Sequence, residues 1–196
     1  MRRIVKDKKG FTLLELMLSI AIIMMISGLT VTLIIAIKDS FMTVYNSNDS
    51  TDYAYLYSRA FEQSLLNKVM YEQTDGASSY IYVVSGNRLR VNTNRVFEPS
   101  QGTVNVNGTV KEKWDIYMGY KWDSSKNIVS YKIYVYDAYY NPGKLTYTYK
   151  GSVLLPHFSA QIGTIEVGGD PAISSDKAGY VDEDATYMRT LTFTPA

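Results

Sequence analysis

The 196-residue chain contains no cysteine, which closes off disulfides, a thiol nucleophile and cysteine metal sites. His157 is the only histidine. A His-rich metal site is thereby excluded, and Leu155-Pro156-His157-Phe158 reads as a strand-to-turn corner with a structural histidine. No proline occurs before Pro99, so no proline interrupts a helix in the N-terminal part of the chain. A Gly-x-Ser-x-Gly elbow and a phosphate-binding glycine loop are both missing, so neither catalysis nor a cofactor is expected. Lysine and arginine are scattered with no sustained basic stripe, so nucleic acid is not an expected partner.

What the chain does have is a long apolar run. From Leu16 to Ile37 there is no charged residue, and as a helix that stretch reaches about 33 Å, enough to cross a hydrocarbon core of about 30 Å. A soluble core helix is seldom apolar on every face for so long. Arg2, Arg3, Lys6, Lys8 and Lys9 stand before the run against a single acid, Asp7, which places the N-terminus inside and the C-terminal part outside. Ser27-Gly28-Leu29 gives no Ala-x-Ala cleavage pattern, and the run is expected to stay with the protein. One carboxylate, Glu15, sits just within its start. An ionisable group in such a place is a functional-site candidate that needs a partner; the plainer alternative is a side chain snorkelling to the interface.

In order, Lys8-Lys9-Gly10-Phe11-Thr12-Leu13-Leu14-Glu15 and the apolar run after it closely resemble the class III signal of type IV pilins and pseudopilins. The resemblance covers about the first 30 residues. It implies cleavage after Gly10 by a membrane prepilin peptidase on the cytoplasmic side, N-methylation of Phe11, and a subunit-assembly role for Glu15. In that family the glutamate of an incoming subunit pairs with the amine of one already in the filament, here the amine of Phe11. Intrachain pairing is also geometrically open, since i and i+4 share a helix face. The implied partners are the prepilin peptidase, other pilin or pseudopilin subunits, the assembly platform protein with its ATPase machinery, and membrane lipid before assembly. The implied location is a single-pass inner or cytoplasmic membrane protein that later enters a pilus or pseudopilus.

Removing the leader takes away five basic residues and one acid, leaving 15 against 18. Two family features are missing: the disulfide that often closes the C-terminal region, and the proline that kinks many major pilins within the apolar segment. Gly28 supplies either a milder weak point or a close-packing position. These departures and the size of the soluble part favour a minor subunit of a surface pilus, a type II secretion pseudopilus or a DNA-uptake pseudopilus. The rival reading is a membrane-anchored extracellular binding or adhesion domain that is neither processed nor polymerised.

Beyond the apolar run, Tyr53, Tyr57, Phe61, Leu65 and Val69 recur every four residues. Leu66 and Met70 widen the stripe, and Arg59, Glu62 and Lys68 are left for water, which predicts an amphipathic helix. The interval Asn46–Asp52 has poor helix propensity, so a break with a restart capped by Ser50 or Thr51 is expected there. Asp75-Gly76 offers the stop.

From Tyr80 onward the pattern is that of strands. Tyr80–Val84, a Ser85-Gly86-Asn87 turn and Arg88–Val91 read as a hairpin. Val104–Val110, Trp114–Tyr120, Ile128–Tyr136, Leu145–Tyr149 after the Asn141-Pro142-Gly143 turn, Gln161–Val167 and Met188–Phe193 follow. A helix followed by a run of strands is an α+β arrangement, an antiparallel sheet laid on the amphipathic half of the helix. The expected divisions are a leader at 1–10, a membrane or filament-core helix at 11–37, its amphipathic continuation at 38–75 and an extracytoplasmic β-rich domain at 76–196. Tyrosine, at 18 residues, suits half-buried strand positions. Asp170, Asp176, Asp182, Glu183 and Asp184 gather acid near the C-terminus. Asp170, Asp176, Asp182 and Asp184 are candidate calcium ligands, but the spacing is not that of an EF-hand, and a solvated acidic loop is the favoured reading.

Overall fold

A computed structural model describes residues 12–70, 79–139, 143–156, 158–159, 161–171 and 186–196. They form one helix, α1 (Leu13–Met70), followed by strands β1 (Tyr80–Val84), β2 (Leu89–Val91), β3 (Asn94–Phe97), β4 (Thr103–Val106), β5 (Thr109–Glu112), β6 (Trp114–Asp123), β7 (Ile128–Asp137), β8 (Lys144–Leu154), β9 (Gly163–Pro171) and β10 (Met188–Pro195). The chain divides into two compact units, Met1–Tyr45 and Asn46–Ala196.

The expected break at Asn46–Asp52 is not there: α1 runs through the interval. The low propensity of Asn, Ser, Asp and Thr amounts to only a few tenths of a kcal/mol per residue, and local and tertiary bonds override it. Ser50 Oγ and Thr51 Oγ1 both donate to the Ser47 carbonyl, at 2.9 and 2.8 Å, and so bond back along the helix instead of capping a new one. Asp49 Oδ2 accepts from Lys113 Nζ at 2.7 Å and from Trp114 Nε1 at 3.0 Å. The Asp75-Gly76 stop, the Asn141-Pro142 part of the predicted turn and His157 lie outside the described residues.

Strand pairing is antiparallel throughout. The main sheet has the order β3-β2-β1-β10-β6-β7-β8, with β9 on the other edge of β10, and β4 and β5 form a separate ribbon. The predicted first hairpin is present, with Gly86 and Asn87 both at positive φ between β1 and β2.

Two expectations about strands are corrected, and one strand is added. Val104–Val110 is not one strand but two. Asn107 and Gly108, at φ 51° and 82°, form the turn between β4 and β5, and an Asn-Gly pair with both residues at positive φ is the preferred two-residue hairpin connection. β3 was not anticipated, because its side chains are mostly exposed and carry no alternating pattern. β8 extends well past Tyr149 to Leu154, its apolar alternation interrupted by Lys150, Gly151 and Ser152.

The core of the second unit lies between the C-terminal part of α1 and one face of the sheet. Tyr57, Phe61, Leu65 and Val69 are buried as the stripe predicts, and Ala54 joins them. From the sheet come Tyr82, Trp114, Ile116, Met118, Tyr120, Val129, Tyr131, Ile133, Leu191 and Phe193. The Phe61 ring sits among three tyrosines, 5.6 Å from Tyr82, 5.1 Å from Tyr120 and 5.0 Å from Tyr131, in edge or tilted contact. Such contacts are worth about 0.5–1.5 kcal/mol each beyond area burial.

Tyrosine hydroxyls also join the helix to the rest of the unit. Tyr57 donates to the Asn87 carbonyl at 2.5 Å, Tyr82 to Ser64 O at 3.2 Å and Tyr53 to Ser100 O at 2.8 Å. Tyr131 Oη donates to Glu62 Oε1 at 2.5 Å and lies 2.8 Å from Ser58 Oγ. Glu62 is therefore drawn into the helix–sheet seam and is not the freely solvated residue its place beside the stripe suggests. Many strand tyrosines are also buried more deeply than expected: Tyr80, Tyr82, Tyr120, Tyr131 and Tyr136 are all buried.

Candidate functional site at the start of the helix

The first unit is where the sequence places its chemistry. From Leu13 to Val44 the large apolar side chains of α1 are exposed, and the helix is long and apolar enough to cross a membrane. The hydroxyls within it are satisfied by the helix itself. Ser19 Oγ donates to Glu15 O at 2.7 Å, Thr30 Oγ1 to Ile26 O at 2.8 Å and Thr32 Oγ1 to Leu29 O at 2.9 Å. A hydroxyl bonded back in this way asks nothing of its surroundings, which is what a hydrocarbon environment requires of a polar group.

Glu15 occupies the first turn. Thr12 is the N-cap: its carbonyl accepts from Leu16 N at 3.2 Å, starting the helical ladder. Its side-chain oxygen accepts from Glu15 N at 3.3 Å. In return Glu15 Oε2 accepts from the Thr12 backbone N–H at 2.9 Å and from Thr12 Oγ1 at 3.1 Å. This is a reciprocal capping box, Thr-x-x-Glu, which satisfies donors that an open helix end leaves bare. The carboxylate also lies at the positive end of the helix dipole. The signal for it in the sequence is a threonine three residues before a glutamate at the head of an apolar run.

Of the other residues singled out from the sequence, Gly10 and Phe11 lie outside the described residues. Asp170 is exposed on β9, while Asp176, Asp182, Glu183 and Asp184 lie outside the described residues. Among the described residues no group of three His, Cys, Asp or Glu side chains is placed to hold a metal ion. In the second unit, a groove of about 450 Å³ lined by Asp49, Asp52, Tyr53, Leu56, Phe97 and Glu98 runs beside β3. Its acids are largely committed: Asp49 to Lys113 and Trp114, and Glu98 to Arg88 and Arg95. The two guanidinium groups hold the Glu98 carboxyl below the usual carboxylate range.

A membrane-capable helix with a capped carboxylate in its first turn, leading into an antiparallel sheet packed on the helix's later turns, is the α+β arrangement of a pilin-like protein. Residues 5–31 match the family model for the prokaryotic N-terminal methylation motif. The chain thus carries a type IV pilin-like prepilin signal, which together with the apolar helix supports a prepilin-like, membrane-anchored protein. The motif implies processing by a prepilin peptidase and association with other pilin subunits, and it points to a structural role in preference to an enzymatic one. Neither the curated proteins nor the solved structures include a match to the chain.

Proposed function

We propose that the chain is a subunit of a type IV pilus or a related pseudopilus, cleaved after Gly10, N-methylated at Phe11 and assembled through the apolar part of α1, as a minor component. The observation that carries this reading is the methylation motif at residues 5–31 running directly into an exposed apolar helix. Before assembly that helix rests in lipid, with the basic residues before Gly10 on the cytoplasmic side and the sheet domain outside. Afterwards its apolar surface packs against the same surface of neighbouring subunits.

Cleavage creates a cationic amine on Phe11 in a poorly solvated setting. Glu15 of an incoming subunit is its partner on a subunit already assembled. Opposite charges in such a setting attract strongly, and either one left alone is costly. The pairing therefore favours the assembled over the dispersed state.

Mass spectrometry of the mature chain from its native host tests the processing step. A methylated Phe11 terminus is expected, whereas a chain that still begins at Met1 rejects the reading in favour of an unprocessed membrane-anchored binding domain. For assembly, Glu15→Ala is expected to be cleaved and methylated normally and to be depleted from filaments by tenfold or more, about the penalty for leaving a poorly solvated charge without its partner. Wild-type incorporation of that variant removes the role given to Glu15.

A further inference from the structure

We propose that Thr12 is a positioning residue for assembly: it grips one oxygen of Glu15 and leaves the other for the amine of a neighbouring subunit. This rests on the reading of Glu15 as the partner of the Phe11 amine. Both hydrogen bonds from Thr12, the backbone N–H at 2.9 Å and the hydroxyl at 3.1 Å, converge on Oε2. Among the described residues no hydrogen bond reaches Oε1. An ionised carboxylate can accept about four hydrogen bonds over its two oxygens, so a cation can approach Oε1 without displacing Thr12.

The arrangement answers two physical problems together. A carboxylate among apolar side chains is expensive unless donors surround it, and in the lone subunit the donors come from Thr12 of the same chain. A glutamate side chain is also flexible, and ordering it during assembly has an entropic cost. The box orders it beforehand, folded toward the N-terminal end of the helix, where an amine has to arrive. Preorganisation of this kind raises affinity by removing costs, without new contacts.

The side-chain part of the grip requires a hydroxyl. Thr12 Oγ1 gives its proton to Oε2 while accepting from Glu15 N. Valine has the shape of threonine and can do neither, whereas serine can do both. The hydroxyl of Ser19, which is also close in sequence, donates to the Glu15 carbonyl oxygen and leaves the carboxylate untouched.

The test uses the full chain in its native host with its peptidase and assembly machinery, comparing Thr12→Val, Thr12→Ser, Glu15→Ala and the Thr12→Val/Glu15→Ala double variant. Terminal mass spectrometry reads processing, and the fraction of subunit in sheared filaments against membrane reads assembly. Thr12→Val is expected to be cleaved and methylated normally and to lose roughly five- to tenfold in filament incorporation, the effect of losing one capping interaction. Thr12→Ser is expected within about twofold of wild type, and the double variant no worse than Glu15→Ala, since both changes remove one coupled device.

Wild-type incorporation of Thr12→Val overturns the proposal. So does a double variant markedly worse than Glu15→Ala, which assigns Thr12 to general helix stability. A Thr12→Val chain left uncleaved at Gly10 assigns the hydroxyl to peptidase recognition and overturns it as well. If Glu15→Ala itself incorporates normally, the pairing with the amine fails first. If Glu15→Ala is impaired and Thr12→Val is not, only the role of Thr12 fails.

Discussion

The Tyr120 hydroxyl is fully buried, with no hydrogen-bond partner among the described residues. Burial pushes its ionisation far above the usual tyrosine range. A buried polar group without a partner costs about 1–3 kcal/mol, so Tyr120→Phe is expected to stabilise the fold by about 1 kcal/mol, visible as a raised thermal midpoint. Gly151 has the opposite sensitivity. A Cβ at that position would fall against the end of the Tyr131 ring, the ring that reaches Glu62 and Ser58 across the seam. Gly151→Ala is expected to cost about 1–3 kcal/mol through overpacking, measured by denaturant unfolding. Legibility in the sequence differed sharply between residues. The stripe through Tyr57, Phe61, Leu65 and Val69 could be read from spacing alone. The burial of Ser58 and the recruitment of Glu62 could not, because both depend on a tyrosine more than 60 positions away in the chain.

At the scale of elements, periodicity located most strands, and it failed where side chains carry no contrast between faces. β3 is such a case; β4 and β5 are different, since the alternation of Val104, Val106 and Val110 passes straight through the Asn107-Gly108 turn and only the Asn-Gly pair divides it. The helix shows the complementary failure. Local propensity predicted a break at Asn46–Asp52, but Asp49 within it is held by Lys113 and Trp114, beyond the reach of any local reading. Those bonds make a prediction. Asp49→Ala is expected to speed amide hydrogen exchange across residues 46–52 by about an order of magnitude, as the loss of roughly 1–2 kcal/mol of local protection implies. Exchange in β6 and β7 is expected to stay close to wild type, and an unchanged rate in the helix would show that propensity had been underestimated in the first place.

At the scale of the whole molecule, buried phenols set the alkaline limit of the fold. Burial raises the ionisation of Tyr57, Tyr120 and Tyr131 well above the ordinary value near 10. A group whose folded value is raised contributes stability that is complete below the unfolded value and is lost as pH rises through the folded one. Stability is therefore expected to be level up to about pH 10 and to fall steeply above it. The tyrosinate absorbance of these three phenols, read as the difference from their Tyr→Phe variants, should appear in step with the loss of circular dichroism; titration of these three while the fold stays intact would contradict their burial.

The same phenols carry a consequence for where the protein is able to mature. The second unit is fastened across its seam by tyrosine oxygens bonded to Asn87 O, Ser64 O, Ser100 O and Glu62, and the chain has no thiol to oxidise. Its folding thus needs no oxidant, no disulfide isomerase and no particular glutathione poise, and a reducing compartment and an oxidising one are equivalent to it. A domain fastened in this way carries its fastenings as part of its amino-acid sequence, independent of the redox state of its surroundings.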